Sequence, residues 1–303
     1  MMKKLLVLFI SIATACAQED SVEFLASDLE VEKMVTQEDA RKIDSVKYNI
    51  PWLDSFSVHN TLFNRIKPPS GYFRKNDLAG NFAHWLRRLP LKEGNPDVQL
   101  YNGDLKGYQN GHAYVINIDV GVRDLQQCAD ATMRLRAEYL FGNNKQDSIH
   151  FNYTNGANVQ FSKWKSGLYP IPKSGEVDWV NSTKNNKSYA SFKRYMIQIF
   201  NYAGTLSLSR ELESVAIESV QPGDIFCHGG SPGHAVMVLD VVENDLGNKM
   251  FLLAQSYMPA QEIHILKNPF NEGISPWYNL SEIGEVINTP EWNFYRGELM
   301  RWN

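Results

Sequence analysis

The sequence predicts an α+β domain in which an antiparallel sheet packs against a helix that starts at a candidate nucleophile. Three observations carry that prediction. Residues 221–256 (QPGDIFCHGGSPGHAVMVLDVVENDLGNKMFLLAQS) read as strand, tight turn, strand, turn, strand. Residues 125–140 (LQQCADATMRLRAEYL) place Cys128, Ala131, Thr132, Leu135 and Tyr139 at helical spacing. Residues 149–161 alternate around Asn155-Gly156, a strong hairpin signal.

The 303 residues are 43% apolar and carry a net charge of -4, enough material for a core and no polyelectrolyte. No basic stripe points to nucleic acid. With three cysteines the chain is no disulfide scaffold.

The first element is not part of the fold. Residues 1–15 (MMKKLLVLFISIATA) have a short basic start, then an apolar run too short to span a bilayer, and read as a signal peptide. Ala13-Thr14-Ala15-Cys16 resembles the lipobox of bacterial lipoproteins, with alanine where leucine is commoner. That resemblance implies acylation of Cys16 and a membrane anchor at the outer membrane or cell surface. Gln18-Glu19-Asp20 leans towards surface export, and a plain signal peptide is the alternative. Residues 16–49 are polar, with sparse apolar positions, and read as a lipid-anchored tether.

Residues 50–303 contain no linker and are read as one domain. Residues 71–90 end in a helix stopped by Pro90, with Phe82, Trp85, Leu86 and Leu89 on one face and Arg87 and Arg88 on a solvated face. Residues 98–101 and 112–120 read as strands. The helix behind Cys128 has Arg134 and Glu138 as an i,i+4 pair on its outer side, and Gly142-Asn143 closes it. After the hairpin, residues 162–187 read as loop. Residues 189–203 form a helix with Phe192, Tyr195, Met196, Ile199 and Tyr202 inward, followed by a shorter helix at 208–215. Beyond residue 256 lie a short strand at 262–266 and a loop-rich tail ending in a Trp-rich segment.

The chemistry centres on Cys128, His234 and Gln255. A helix N-terminus stabilises a thiolate, and an imidazole completes the activation. His234 follows the small-residue turn 229–233, shares a strand face with Val236, Val238 and Asp240, and is the base of the pair. Gln255, ending the return strand, orients the imidazole if the hairpin register puts it on that face; a slip by one residue substitutes Ser256. Gln126, Gln127 and Ser231 are oxyanion or substrate candidates. An activated pair of this kind predicts rapid labelling of Cys128 below pH 7. Each residue also has a plainer role: a buried cysteine, a hydrogen-bonded structural histidine, a cap or a strand-end hydrogen bonder. A Cys128–Cys227 disulfide is the rival in an oxidising compartment. A Cys227/His228/His234 metal site is a weaker rival, because its spacing is unlike common zinc motifs, so no metal or other cofactor is expected.

The order Cys128, Pro222-Gly223-Asp224, Gly233-His234, Gln255 resembles NlpC/P60-type papain-like amidases. The resemblance implies a papain-like core and a cysteine hydrolase acting on amide bonds, with cell-wall peptides as substrates. Gln127 replaces the usual aspartate before the nucleophile, and the third residue is more often His or Asn. The segments LQQCADATMRLRAEYLF, YAGTLSLSREL, GGSPGHAVMVLD, FLLAQSYMPAQEIHILKNP and TPEW resemble a family of bacterial secreted proteins, domain of unknown function 4846, which implies no particular activity. The second functional reading is a non-catalytic surface lipoprotein that binds glycan or peptide in the same cleft through Trp164, Trp277 and Trp292. A third is acyl transfer to an amine by the same dyad.

Overall fold

The centre of the fold is one long hydrophobic strand, His234–Glu243, buried along nearly its whole length. A strand buried on both faces needs cover on both sides, and the rest of the chain supplies it. The computed structural model describes residues 50–75 and 80–303. The signal peptide, Cys16 and the tether lie outside the described residues.

The described residues form a single compact unit. Its helices are α1 (Leu62–Arg65), α2 (Phe82–Arg87), α3 (Cys128–Gly142), α4 (Phe161–Lys165), α5 (Tyr189–Tyr202) and α6 (Thr205–Glu211). The main sheet is antiparallel throughout, in the order β1 (His112–Val115), β10 (His264–Leu266), β9 (Lys249–Gln255), β8 (His234–Glu243), β7 (Ile225–His228), β14 (Leu299–Arg301) and β6 (Glu213–Ser214). β11 (Tyr278–Asn279) also pairs with β9. Three hairpins stand apart: β2 (His150–Asn152) with β3 (Asn158–Gln160), β4 (Leu168–Pro172) with β5 (Val177–Asn181), and β12 (Val286–Asn288) with β13 (Asn293–Tyr295). The fold is therefore mixed α+β and antiparallel.

Alternation along β8 divides the core in two. Ala235, Met237 and Leu239 face the helical side with Trp85, Leu86, Leu135 and Ile199. Val236 and Val238 face a smaller core with Phe226, Phe251, Phe294 and Leu299. An irregularity in the β8–β9 register between Val238 and Asp240 breaks the alternation. An extra residue in one strand lets two neighbours share a side, so Asp240 emerges towards α2 and not on the face of His234.

That change explains Arg87, whose expected solvated face is wrong. Asp240 is fully buried and takes hydrogen bonds from Arg74 Nε and Arg87 Nε, both at 2.6 Å. Arg88 is also buried, its guanidinium over the Phe63 ring at 4.7 Å from the centroid. The Arg134–Glu138 pair is likewise interior: α3 packs against α2, α5, α6, β8 and β9, so it has no outer side. Glu138 Oε1 accepts from Arg134 Nε at 2.7 Å and from the Tyr189 hydroxyl at 2.8 Å, so the buried carboxylate is paired through that oxygen, while its Oε2 has no hydrogen-bond partner among the described residues.

Other boundaries moved for local reasons. Residues 98–101 form only isolated bridges, from Gln99 to Leu105 and from Leu100 to Gln261. Residues 162–187 hold the rest of α4 and the β4–β5 hairpin, because Trp164 anchors the segment in the core and donates to Ser191 Oγ at 3.0 Å. The shorter helix begins at Thr205, three residues early: Ser207 Oγ accepts the Gly204 N–H at 3.0 Å and starts it.

Candidate active site

Two chain segments about a hundred residues apart meet at the open end of the sheet. Asp130, in the first turn of α3, accepts the Gln127 N–H at 3.0 Å and fixes where the helix starts. Cys128 is therefore the first helical residue, and it is half-buried. The backbone amides of Ala235, Ala129 and Cys128 itself lie against its sulfur and favour the thiolate. Burial outweighs them, and the Asp130 carboxylate adds to burial, so the thiol is pushed up to about 11. Rapid labelling below pH 7 needs a thiolate, and this environment opposes one: the helix terminus is present, but desolvation of the sulfur outweighs it.

His234 opens β8 and is 2% exposed. Its Nε2 lies 2.8 Å from Gln255 Oε1. The register settles which residue does this: Met237 pairs with Ala254, while the Ser256 hydroxyl is spent on the Gln126 and Gln261 carbonyls at 2.9 and 2.7 Å. Rings of Tyr257, Trp292 and Phe294 surround the imidazole at centroid distances of 4.8, 5.4 and 5.8 Å. Burial pushes His234 down to about 4, against a smaller opposing effect of Gln255. At neutral pH the resting pair is a neutral thiol and a neutral imidazole.

Cys128 and His234 border one cleft of about 680 Å³, together with Gln127, Ser231, Tyr257 and Trp292. Gln127 Nε2 donates to Asp124 Oδ1 at 3.0 Å, and Ser231 is exposed at the rim. Gln126 stands apart. It is fully buried, its Oε1 accepts from Arg134 Nη1 at 2.9 Å, and it lines a separate cavity of about 280 Å³. Trp164 and Trp277 are core residues, so of the three tryptophans considered only Trp292 reaches the cleft.

Cys227 pairs with Ala235 across the β7–β8 ladder, and its Sγ lies 3.7 Å from the Thr205 carbonyl. Both it and Cys128 are free thiols, and burial pushes Cys227 up to about 12. His228 is 2.5 Å from Glu298 Oε1, and among the described residues no cluster of three or more His, Cys, Asp or Glu is suited to a metal.

The glycine turn holds His234 against α6. Thr205 Oγ1 donates to the Gly230 carbonyl at 3.1 Å. A Cβ at Gly233 would sit 2.4 Å from both Thr205 Oγ1 and the Gly230 oxygen, closer than real contacts allow. Gly233→Ala is expected to cost about 1–3 kcal/mol in chemical denaturation, since the neighbours are packed backbone and a short side chain. A stability change below a few tenths would mean that the turn has room to shift.

Sequence reasoning missed Tyr257, Thr205 and Glu291 at this site. Tyr257 borders the cleft beside His234, and its hydroxyl is raised by burial and by the nearby Glu291 and Cys128. It lies two residues beyond Gln255, so the strand pattern that placed Gln255 carried a signal for it. Glu291 and Trp292 fall in the TPEW segment, where only a contact map links them to His234.

The family described as a domain of unknown function (4846) matches residues 62–301. No curated protein and no solved structure matches the chain. Among the described residues no helix is long and apolar enough to cross a membrane.

Proposed function

The chain belongs to this family of domain of unknown function 4846, and from the cleft that its domain encloses we propose that it is a papain-like cysteine amidase or peptidase. One observation carries the reading: Cys128 at a helix start and His234, held at Nε2 by Gln255, border the same cleft. Cys128 Sγ attacks an amide carbonyl carbon while its proton passes to His234. The carbonyl electron pair moves to oxygen, beside the first-turn amides of α3 that lie against the sulfur. The C–N bond then breaks, His234 returns the proton to the departing amine, and an acyl thioester remains. Water, deprotonated by His234, attacks the thioester and releases a carboxylic acid and the thiol. The substrate we favour is a cell-wall peptide, by the likeness to NlpC/P60-type amidases, with the enzyme held at the cell surface through an acylated Cys16.

The neutral resting pair makes the proton transfer part of the attack, not a step completed beforehand. This sets the pH dependence. The base needs an unprotonated imidazole, and His234 keeps one down to about 4. The acid limb of Cys128 capture by a peptidyl vinyl sulfone is therefore expected near pH 4, well below the 6–7 of an exposed histidine. The thiolate fraction rises about tenfold per pH unit towards 11, so labelling by iodoacetamide should climb through pH 7–10 without a plateau. His234→Ala should remove the vinyl sulfone capture at pH 7. Unchanged capture in that variant would end the dyad reading.

The second reading, a lipoprotein that binds peptide or glycan without cleaving it, draws on the same neutral thiol and on the aromatic wall of Tyr257, Trp292 and Phe200. It expects saturable binding and no thioester.

A further inference from the structure

We propose that Glu291 is a positioning residue for this pair: its carboxylate fixes which way the Gln255 amide faces, and so which nitrogen of His234 is the base. The inference rests on the dyad reading above, and its support is a chain of hydrogen bonds whose donors and acceptors are forced.

The chain starts at a fixed charge. Lys106 is buried, and its ammonium donates to Glu291 Oε1 at 2.7 Å and to the Tyr108 carbonyl at 2.6 Å. This pins Glu291 and leaves its other oxygen for Gln255. Glu291 Oε2 lies 2.8 Å from Gln255 Nε2. A carboxylate only accepts, so the Gln255 atom facing it must be the NH₂ group. A second constraint agrees. His264 Nδ1 is 2.9 Å from the Glu262 carbonyl and must donate there, which leaves its Nε2 as a lone pair facing the same Gln255 nitrogen at 3.4 Å. Both neighbours require nitrogen on that side, so Gln255 presents oxygen to His234 at 2.8 Å.

An amide oxygen accepts only, so His234 must carry its proton on Nε2. Its Nδ1 then holds the lone pair, and that nitrogen has no hydrogen-bond partner among the described residues. The ring borders the cleft that Cys128 also borders. If the Gln255 amide were reversed, its NH₂ would face His234 Nε2, the proton would move to Nδ1, and the thiol would meet a donor instead of a base.

The TPEW segment is built for this delivery. It turns between β12 and β13, with Thr289 N–H bonded to the Trp292 carbonyl at 2.8 Å and Trp292 N–H to Thr289 Oγ1 at 3.2 Å. The turn sets Glu291 on Gln255 and the Trp292 ring beside His234 at 5.4 Å. One short hairpin end thus supplies both the acceptor that orients the amide and a wall of the imidazole pocket.

The test has two arms. In the wild-type protein, two-bond proton–nitrogen NMR of the histidine rings at pH 7 should show His234 with hydrogen on Nε2; hydrogen on Nδ1 overturns the proposal outright. The second arm compares two variants that both lack the ion pair, so that neither strands the buried Lys106 charge: K106M/E291Q keeps an acceptor for Gln255, and K106M/E291M does not. The first should retain the Nε2–H tautomer and label with a peptidyl vinyl sulfone within about threefold of wild type. The second should populate the Nδ1–H tautomer and lose about tenfold or more in labelling, the signature of a misplaced proton. Equal tautomers and equal rates in the two variants overturn the proposal. Should one of them fail to fold, the wild-type spectrum still tests the proposal, since hydrogen on Nδ1 of His234 overturns it. If His234→Ala leaves labelling unchanged, the dyad reading fails; if His234→Ala abolishes labelling while the two double variants match, only the role of Glu291 fails.

Discussion

Replacing Cys128 by alanine is expected to abolish amide hydrolysis and all covalent capture by peptidyl electrophiles, a loss of about 10⁴-fold or more in turnover. The sulfur supplies the bond that forms, and the other described thiol does not replace it: Cys227 lies deeper, buried beside Ala235, and is pushed up to about 12. Folding should hardly change, because Cys128 is half-buried and alanine keeps the helix start that Asp130 fixes. Hydrolysis followed by mass spectrometry on a library of short cell-wall and protein peptides measures the effect. Wild-type cleavage that persists in Cys128→Ala would leave the cleft as a binding site only. Saturable binding that survives in the variant separates the substrate contacts from the chemistry.

The largest expected effect on stability lies away from the cleft. Asp240→Asn should destabilise the domain by about 3–5 kcal/mol, read as a lower urea midpoint at unchanged slope. Asp240 is fully enclosed and joins two guanidiniums at 2.6 Å each. Arg74 in turn donates to the Ile66 carbonyl at 2.6 Å, and Arg87 to the Val241 carbonyl at 3.1 Å. The carboxylate therefore ties the segment before α2, and α2 itself, onto β8. An amide offers one acceptor oxygen and no charge, so both guanidiniums would lose the Asp240 carboxylate they share. A loss below about 1 kcal/mol would show that water or a neighbouring acceptor reaches the guanidiniums in the variant. Because His234 lies at the other end of β8, the loss should appear in stability before it appears in labelling of Cys128.

The outline of the site was readable because its residues sit at pattern boundaries. Cys128 opens an apolar helical run, His234 follows a small-residue turn and Gln255 ends an apolar strand; such positions are marked by changes of period and by glycine. Glu291, Lys106 and Thr205 carry no such mark. Each works through a neighbour far along the chain, Glu291 through Gln255 and Lys106 through Glu291, and a single sequence holds no trace of those pairings. Charges misled for the same reason. Arg87, Arg134 and Glu138 look like a solvated face until their partners arrive from other elements and make burial tolerable.

What the sequence determined by itself is local and periodic: the helix behind Cys128, the 149–161 hairpin, the helix ending at Tyr202 and the alternation that puts His234 on one face of β8. These follow from steric and hydrophobic preferences acting over a few residues. Tertiary structure alone decided the register that sets Gln255 against His234, the irregularity that turns Asp240 towards α2, and the dryness that leaves the Cys128 thiol protonated at neutral pH. Register depends on pairing across a turn that does not fix it, and desolvation depends on everything packed around an atom. Both are properties of the assembled core, and neither is written in any single stretch of the chain.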